Sequence, residues 1–182
     1  MRRRARRDGF TLIEVLVVVV LVALLLSAVM VNLDGRLPGT RTESAARELL
    51  STLDLARTSA LSYGQPYDVL LDFDEQRYTI RLPFDEDGNP VADPSRRELL
   101  PWSPMSNGVS LLSMADPTGD RVERGVQTVT FRPAGSGREV WIHLGNSAAD
   151  EYVLTIRLLS LTGLASVIQG EAMPEALTDE DF

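Results

Sequence analysis

The sequence predicts an α+β protein in which helices come first and β-strands follow. Residues 10–33 form an apolar stretch with a single charge, and residues 42–63 carry apolar side chains at three- and four-residue steps. From residue 67 onward the apolar period changes to two, which is typical of strands with one buried face. The second helix is therefore expected to pack against antiparallel strands.

The first apolar stretch is long enough to cross a membrane. Its 24 residues contain one charged side chain, Glu14. As a helix they would span ~36 Å, which exceeds a hydrocarbon core of ~30 Å. The preceding residues 1–9 contain five arginines and one aspartate, so the positive-inside rule predicts a cytoplasmic N-terminus. We therefore expect a leader at 1–9 and a transmembrane helix at 10–33.

A hinge and an amphipathic helix are predicted next. Residues 34–41 contain two glycines and a proline, which should break or kink a helix. Thr42 or Ser44 can then cap a second helix. One apolar stripe of that helix is expected to be buried, and it consists of Ala46, Leu49, Leu50, Leu53, Ala56, Ala60 and Leu61.

The remainder of the globular domain, which we assign to residues 42–170, is expected to consist of strands. Residues 68–73 and 77–82 flank a short polar turn and predict a hairpin. An exposed loop is predicted at 83–97 from its Pro, Asp, Gly and Asn content, and a disordered acidic tail at 171–182. Further strands are predicted at 98–100, 109–114, 127–132, 139–144, 152–159 and 164–168.

Glu14 is unexpected in an apolar helix, because a carboxylate at the centre of a membrane costs about 2.5–3.5 kcal/mol. It ends the sequence Gly-Phe-Thr-Leu-Ile-Glu, which begins at Gly9. With the basic leader and the apolar stretch, this sequence resembles the processing site of type IV prepilins and type II secretion pseudopilins. The resemblance implies that a prepilin peptidase cuts after Gly9 and methylates the new N-terminal residue, Phe10.

The spacing of Phe10 and Glu14 suits assembly. Cleavage would leave a positive α-amine on Phe10, at the head of a helix. In a bundle of such helices, the amine of one subunit and the Glu14 carboxylate of another can neutralise each other, so that each offsets the other's desolvation cost. Glu14 is therefore predicted to be the assembly contact. An ordinary secretory signal or a twin-arginine signal would leave Glu14 unexplained.

The globular half has a second resemblance. Residues 130–135, Thr-Phe-Arg-Pro-Ala-Gly, and the turn at 161–163 are similar to the pseudopilin H (general secretion pathway protein H) and FimT group. This resemblance implies a type IV pilin-like fold, with one long N-terminal helix whose membrane half continues into an amphipathic half packed on an antiparallel sheet. It also implies a minor pseudopilin of the type II secretion pseudopilus, which serves protein export across the outer membrane.

The same resemblance implies a location and a set of partners. The chain would cross the bacterial inner membrane once, with a periplasmic C-terminal domain. Its partners would be the prepilin peptidase, the major and minor pseudopilins and the inner-membrane secretion platform. No cofactor is expected.

Two alternatives remain open from the sequence. The first is a minor pilin of a type IV pilus that serves assembly or DNA uptake. The chain has a net charge of −8 and the leader carries +4, so the mature chain carries −12. This charge argues against nucleic-acid binding through phosphate neutralisation.

The second alternative is a membrane-anchored periplasmic enzyme. His143 is the sole histidine and there is no cysteine. The sequence offers no Gly-x-Ser-x-Gly elbow and no recognisable base with an orienting partner. The carboxylates of residues 83–97 lack the Asp-x-Asp-x-Asp-Gly spacing of a calcium loop. No catalytic and no metal-ligating residue is therefore predicted, and His143 is interpreted as a structural strand residue.

Overall fold

The computed structural model describes residues 12–34, 37–146 and 149–174. It divides into two units, of which the first ends at Leu37 and the second begins at Pro38. The first unit contains helix α1, Leu12–Asp34. Within the described ranges, no helix was found that is both long enough and apolar enough to cross a membrane. The expectation that residues 10–33 span a membrane therefore rests on the sequence.

Helix α2 runs Leu37–Tyr63 and begins earlier than predicted. The sequence placed a hinge at 34–41 and a cap at Thr42 or Ser44, but residues 37–41 are already helical. Pro38 and Gly39 therefore lie within the described helix. Gly35 lies outside the described residues.

The predicted apolar stripe of α2 is largely confirmed. Ala46, Leu49, Leu53, Ala56 and Ala60 are all 0% exposed. Two members of the predicted stripe differ, because Leu50 is half-buried and Leu61 is 44% exposed.

Nine strands follow α2 in the described part of the chain, and every pairing is antiparallel. They form two sheets, one with the strand order β3-β2-β1-β6 and the other with the order β5-β4-β7-β8-β9. The strands are Tyr67–Asp72 (β1), Arg77–Arg81 (β2), Ser103–Pro104 (β3), Val109–Ala115 (β4), Arg121–Val122 (β5), Val126–Phe131 (β6), Val140–Asn146 (β7), Ala149–Leu158 (β8) and Ala165–Gln169 (β9).

The α+β prediction is confirmed, but the head contains two antiparallel sheets where one was expected. The predicted hairpin is β1–β2, with Leu71 opposite Tyr78. The predicted strand at 98–100 is wrong. Leu99 makes an isolated bridge to Arg81, flanked by backbone hydrogen bonds from Leu82 to Glu98 and from Leu100 to Ile80, and the pairing does not extend into a ladder. Strands β3 and β5 were missed because two residues show no periodicity.

One hydrophobic core joins α2 to both sheets. The buried stripe of the helix packs with alternate residues of β1, β2 and β6 from the first sheet and of β4, β7 and β8 from the second. Tyr78 on β2 belongs to this core, and Glu48 and Thr52 of the helix lie beside its hydroxyl. Burial, followed by the negative charge of Glu48, raises the pKa of Tyr78 to about 12. The tyrosine is therefore a neutral component of the core at physiological pH.

Two turns lie against the C-terminal end of α2. Arg57 Nε donates to the carbonyl oxygen of Thr162 at 2.6 Å, and the N–H of Gly137 donates to the Ser160 oxygen at 2.9 Å. Gly163 has φ +61°, and a Cβ built on it would lie 2.1 Å from the Gly135 oxygen. This approach requires glycine at 163 for both its backbone conformation and its missing side chain.

We therefore expect Gly163→Ala to lower the free energy of unfolding by roughly 2–4 kcal/mol, through left-handed strain and a backbone clash. Gly88→Ala is the matched control, because Gly88 has φ +80° and nothing within 4 Å of its built Cβ. The free energy of unfolding of that control should fall by only about 1 kcal/mol. Denaturant unfolding of the purified chain in detergent, followed by tryptophan fluorescence, measures both. Equal losses in the two variants would contradict the close approach.

Candidate functional site

The predicted processing residues Gly9 and Phe10 lie outside the described residues. Glu14, the predicted assembly contact, lies in the first turn of α1. A carboxylate is favoured there because the N-terminal end of a helix carries a partial positive charge.

The surroundings of Glu14 are apolar and exposed. All side chains of residues 12–23 are exposed, including Ile13 at 70% and Val15 at 53%. A helix that is apolar on every side normally lies among other helices or in lipid. The structure thus places one exposed carboxylate among the exposed apolar side chains of α1.

The only histidine is fully buried in the second sheet. His143 on β7 is 0% exposed, and its Nδ1 lies 2.9 Å from the Oγ of Ser113 on β4. Its Nε2 lies 2.9 Å from the carbonyl oxygen of Ala172. Because a carbonyl oxygen only accepts, Nε2 must carry the proton, and the Ser113 hydroxyl therefore donates to Nδ1.

This Ser113–His143 pair was not predicted, and it bears on the enzyme alternative. In a catalytic pair the histidine must be free to take the proton of the serine, and a third group must orient the ring. Here the pair is inaccessible to solvent, and the far nitrogen is bonded to a backbone carbonyl where a catalytic arrangement would have a carboxylate. The geometry supports the structural interpretation of His143.

A cleft of about 350 Å³ lies between α2 and the β8–β9 edge of the second sheet. Its lining residues are Glu43, Arg47, Leu154, Val167 and Gln169. The Ser113–His143 pair does not line it.

The loop at 83–97 is fastened to the first sheet by a buried carboxylate, Asp68 on β1. Arg81 donates to Asp68 Oδ2 from Nε at 3.0 Å and from Nη2 at 2.8 Å. Arg97 Nη1 lies 3.5 Å from the same oxygen, and the Thr130 hydroxyl donates to Oδ1 at 2.6 Å. The side chains of Asp68, Arg81 and Arg97 are 5%, 20% and 10% exposed. We call these four residues the Asp68 cluster.

Arg97 connects the Asp68 cluster to the loop. Its Nε donates to the Val91 oxygen at 2.9 Å and its Nη2 to the Ala92 oxygen at 3.1 Å. The backbone N–H of Glu98 also donates to the Phe84 oxygen at 2.8 Å. The predicted exposed loop is therefore confirmed as an exposed segment with an ordered base.

The acidic residues of this loop serve its own turns. Asp85 Oδ1 accepts the N–H of Asn89 at 2.8 Å and that of Asp87 at 3.1 Å. The Asn89 N–H contributes most to holding the pKa of Asp85 below its ordinary value. Asp93 likewise accepts the Ser95 N–H at 3.0 Å, at the start of a single 3₁₀ turn, Pro94–Arg96. Among the described residues, no group of three or more His, Asp or Glu is placed to hold a metal ion.

Two sequence families match this chain. The prokaryotic N-terminal methylation motif matches residues 4–30, and the type II transport protein GspH family matches residues 45–162, more than half of the chain. The chain belongs to the type II transport protein GspH family. The prediction that it is a minor pseudopilin of type II secretion is confirmed. A comparison with curated proteins gives no significant match.

Two solved structures, both of one minor pseudopilin, show the same fold. Two structures of the minor pseudopilin EpsH from the type II secretion system of Vibrio cholerae are 13% and 16% identical to this chain, with TM-scores of 0.51 and 0.54. The matched regions span 71% and 74% of this chain. They span 97% and 98% of the EpsH chains. The type IV minor pilin FimU of Pseudomonas aeruginosa is 15% identical, with a TM-score of 0.47, and covers 75% of this chain and 95% of its own.

The family determines the broad character of the GspH-type chain. Pseudopilins are structural subunits, and the family implies processing by a prepilin peptidase and interaction with other pseudopilins. The methylation motif and the family indicate an inner-membrane anchor with a periplasmic domain.

One sequence prediction for the tail is wrong in part. Residues 171–182 were expected to be disordered from their acidic composition, but residues 171–174 are described and attached to the second sheet. The N–H of Ala172 donates to the Thr155 hydroxyl at 2.9 Å, and its oxygen accepts from His143. Composition did not reveal this attachment because it uses backbone atoms. Residues 175–182 lie outside the described residues.

Proposed function

We propose that this chain is a structural subunit of the type II secretion pseudopilus and serves protein export across the outer membrane. The observation that carries the proposal is the combination, in one chain, of a GspH-family head at 45–162 with an apolar N-terminal helix that bears Glu14 in its first turn. A head alone would only specify a fold. The helix supplies the polymerisation element.

Processing precedes assembly. A prepilin peptidase cuts between Gly9 and Phe10 on the cytoplasmic side and methylates Phe10. The match of the methylation motif to residues 4–30 supports this step. The cleavage removes five arginines, which would otherwise remain at the head of the helix.

The assembly contact is the pairing of the Phe10 amine in one subunit with the Glu14 carboxylate in its neighbour. Phe10 and Glu14 are separated by roughly one helical turn, about 6 Å along a helix axis. Pairing therefore fixes the axial offset between neighbouring subunits. The exposed position of Glu14 on an apolar helix supports this role.

Before assembly the chain is anchored in the inner membrane by residues 10–33, with a cytoplasmic N-terminus and a periplasmic head. Other pseudopilins and the inner-membrane secretion platform are its partners, and nucleic acid is not, since the mature chain carries −12. The role is structural rather than catalytic. The closed Ser113–His143 pair supports this, because neither residue is exposed.

The test is the intact mass and N-terminal sequence of the chain produced with and without a prepilin peptidase. We expect loss of residues 1–9 and a methylated Phe10 only with the peptidase. Gly9→Leu should remain uncleaved, and Gly39→Ala is the matched control that should be cleaved normally. A chain cut after Ala28, or left whole beside an active peptidase, would contradict the proposal.

A further inference from the structure

The outer face of the second sheet carries a row of three buried polar side chains. Ser113 on β4 is opposite His143 on β7, and His143 is opposite Thr155 on β8. Directly opposed residues of antiparallel strands point to the same face of a sheet. All three are 0% exposed. We call them the polar row.

A short C-terminal segment covers the polar row. After β9 the backbone turns, and residues 170–172 bind the row through main-chain atoms. The Thr155 hydroxyl donates to the Gly170 oxygen at 2.7 Å and accepts the Ala172 N–H at 2.9 Å. His143 Nε2 donates to the Ala172 oxygen at 2.9 Å. We call residues 170–174 the strap.

The polar row binds main-chain atoms of the strap. Both main-chain groups of Ala172 are bound, by a donor on His143 and an acceptor on Thr155. Ser113 orients the imidazole, since its hydroxyl donates to Nδ1 and leaves the proton on Nε2. No side chain of the strap takes part in these bonds. The row therefore binds this segment through its backbone, and the turn that begins it places glycine at 170, where φ is +83°.

Outside the polar row, the Gly170 N–H donates to the Val153 oxygen at 2.9 Å. Glu171 forms an ion pair with Arg121 on β5, and this pair is partly exposed and hence weak. Met173 is 42% exposed, and Ala172 is only half-buried. Because the strap buries no large apolar side chain, it lacks the contribution that holds the strands of the core. Such a segment can open while the rest of the domain stays folded.

We infer that the polar row is a binding site for the backbone of a peptide segment, that the chain's own strap occupies it, and that the strap of a second copy of this chain can replace it. This inference is independent of the filament role, since the row and the strap are both parts of one chain.

The first test uses the chain truncated after Gln169, in detergent, and a fluorescent peptide of residues 170–182. We expect saturable binding to the truncated chain. Binding to the intact chain should be at least tenfold weaker, because its own strap is present at a high effective concentration. Thr155→Val in the truncated chain removes two of the three hydrogen bonds between the polar row and the strap and should weaken binding at least tenfold.

Thr128→Val is the matched control, since Thr128 lies on β6 of the other sheet. It should leave peptide binding unchanged. A folded truncated chain that does not bind the peptide, or that binds equally well with Thr155→Val, would refute the inference.

A second test needs only the intact chain and applies even if truncation prevents folding. Hydrogen exchange should show that the Ala172 amide is protected, but at least tenfold less than the amide of Ile142 in β7. Thr155→Val should remove that protection, and Thr128→Val should not. An unprotected Ala172 would exclude the binding site. Protection equal to that of Ile142 would exclude exchange of the strap.

Discussion

Glu14→Ala should leave membrane insertion and removal of residues 1–9 intact and yet abolish incorporation of the chain into the pseudopilus. Without the carboxylate, the Phe10 amine of the neighbouring subunit would enter the apolar bundle without a counter-charge. A loss of roughly 3 kcal/mol, the scale on which an uncompensated charge is penalised in a membrane helix, corresponds to more than 100-fold less incorporation. Sheared or cross-linked pseudopili, probed for this chain, measure the effect.

Two variants separate charge from shape. Glu14→Gln keeps the size of the side chain and removes its charge, so it should fail as Glu14→Ala does. Glu14→Asp keeps the charge on a shorter side chain and should retain part of the incorporation. Leu16→Ala controls for a general loss of apolar surface on α1 and should incorporate well. Normal incorporation of Glu14→Gln, with intact cleavage by mass, would refute the pairing.

Local sequence patterns were sufficient for most of the elements. The three- and four-residue spacing from Ala46 to Ala60 predicts the buried face of α2, because a helix brings such residues onto one side. The alternation around residues 74–76 predicts β1 and β2, whose partners are close in sequence. Both predictions use only interactions between nearby residues, and the structure confirms both.

The division into two sheets was not predictable in this way. β1 pairs on its other side with β6, so that Tyr67 lies opposite Phe131. Nothing within either strand specifies this distant partner, since both read simply as alternating apolar segments. The start of α2 was missed for a related reason. Pro38 and Gly39 are helix breakers in isolation, but both residues are helical here.

The candidate sites also differ in whether the sequence predicts them. The processing and assembly residues were predictable because Gly9, Phe10 and Glu14 form one continuous motif. The polar row was not, since Ser113, His143 and Thr155 are distant in the sequence and meet only through strand register. A polar residue between two apolar neighbours in each strand was the available signal. It places each residue on the outer face of its strand without showing that they meet.

Asp68→Ala should produce the largest loss of stability among substitutions in the head. The change leaves the Arg81 and Arg97 guanidinium groups, 20% and 10% exposed, without the carboxylate they share. Breaking a buried ion pair by removing one partner costs about 3–5 kcal/mol, a large part of a typical total stability of roughly 5–15 kcal/mol. Denaturant unfolding in detergent, followed by tryptophan fluorescence, measures the loss.

Asp54→Ala is the matched control for this substitution. Asp54 is also paired with an arginine, but its side chain is 61% exposed and lies 3.9 Å from Arg57. That pair should contribute less than about 1 kcal/mol. The contrast isolates burial as the cause, since the two variants remove the same chemical group. Equal losses would mean that the Asp68 cluster is no stronger than a surface pair.

Asp68→Ala also tests which interactions keep the loop at 83–97 ordered. If the Asp68 cluster holds the loop, Asp68→Ala should accelerate hydrogen exchange of the Val91 and Glu98 amides well before global unfolding. Those amides donate to the Pro83 and Phe84 oxygens, within the loop itself. Unchanged exchange would mean that the loop's own turns, capped by Asp85 and Asp93, suffice. The exposed loop would then owe its conformation to local sequence, and the buried cluster would serve the sheet alone.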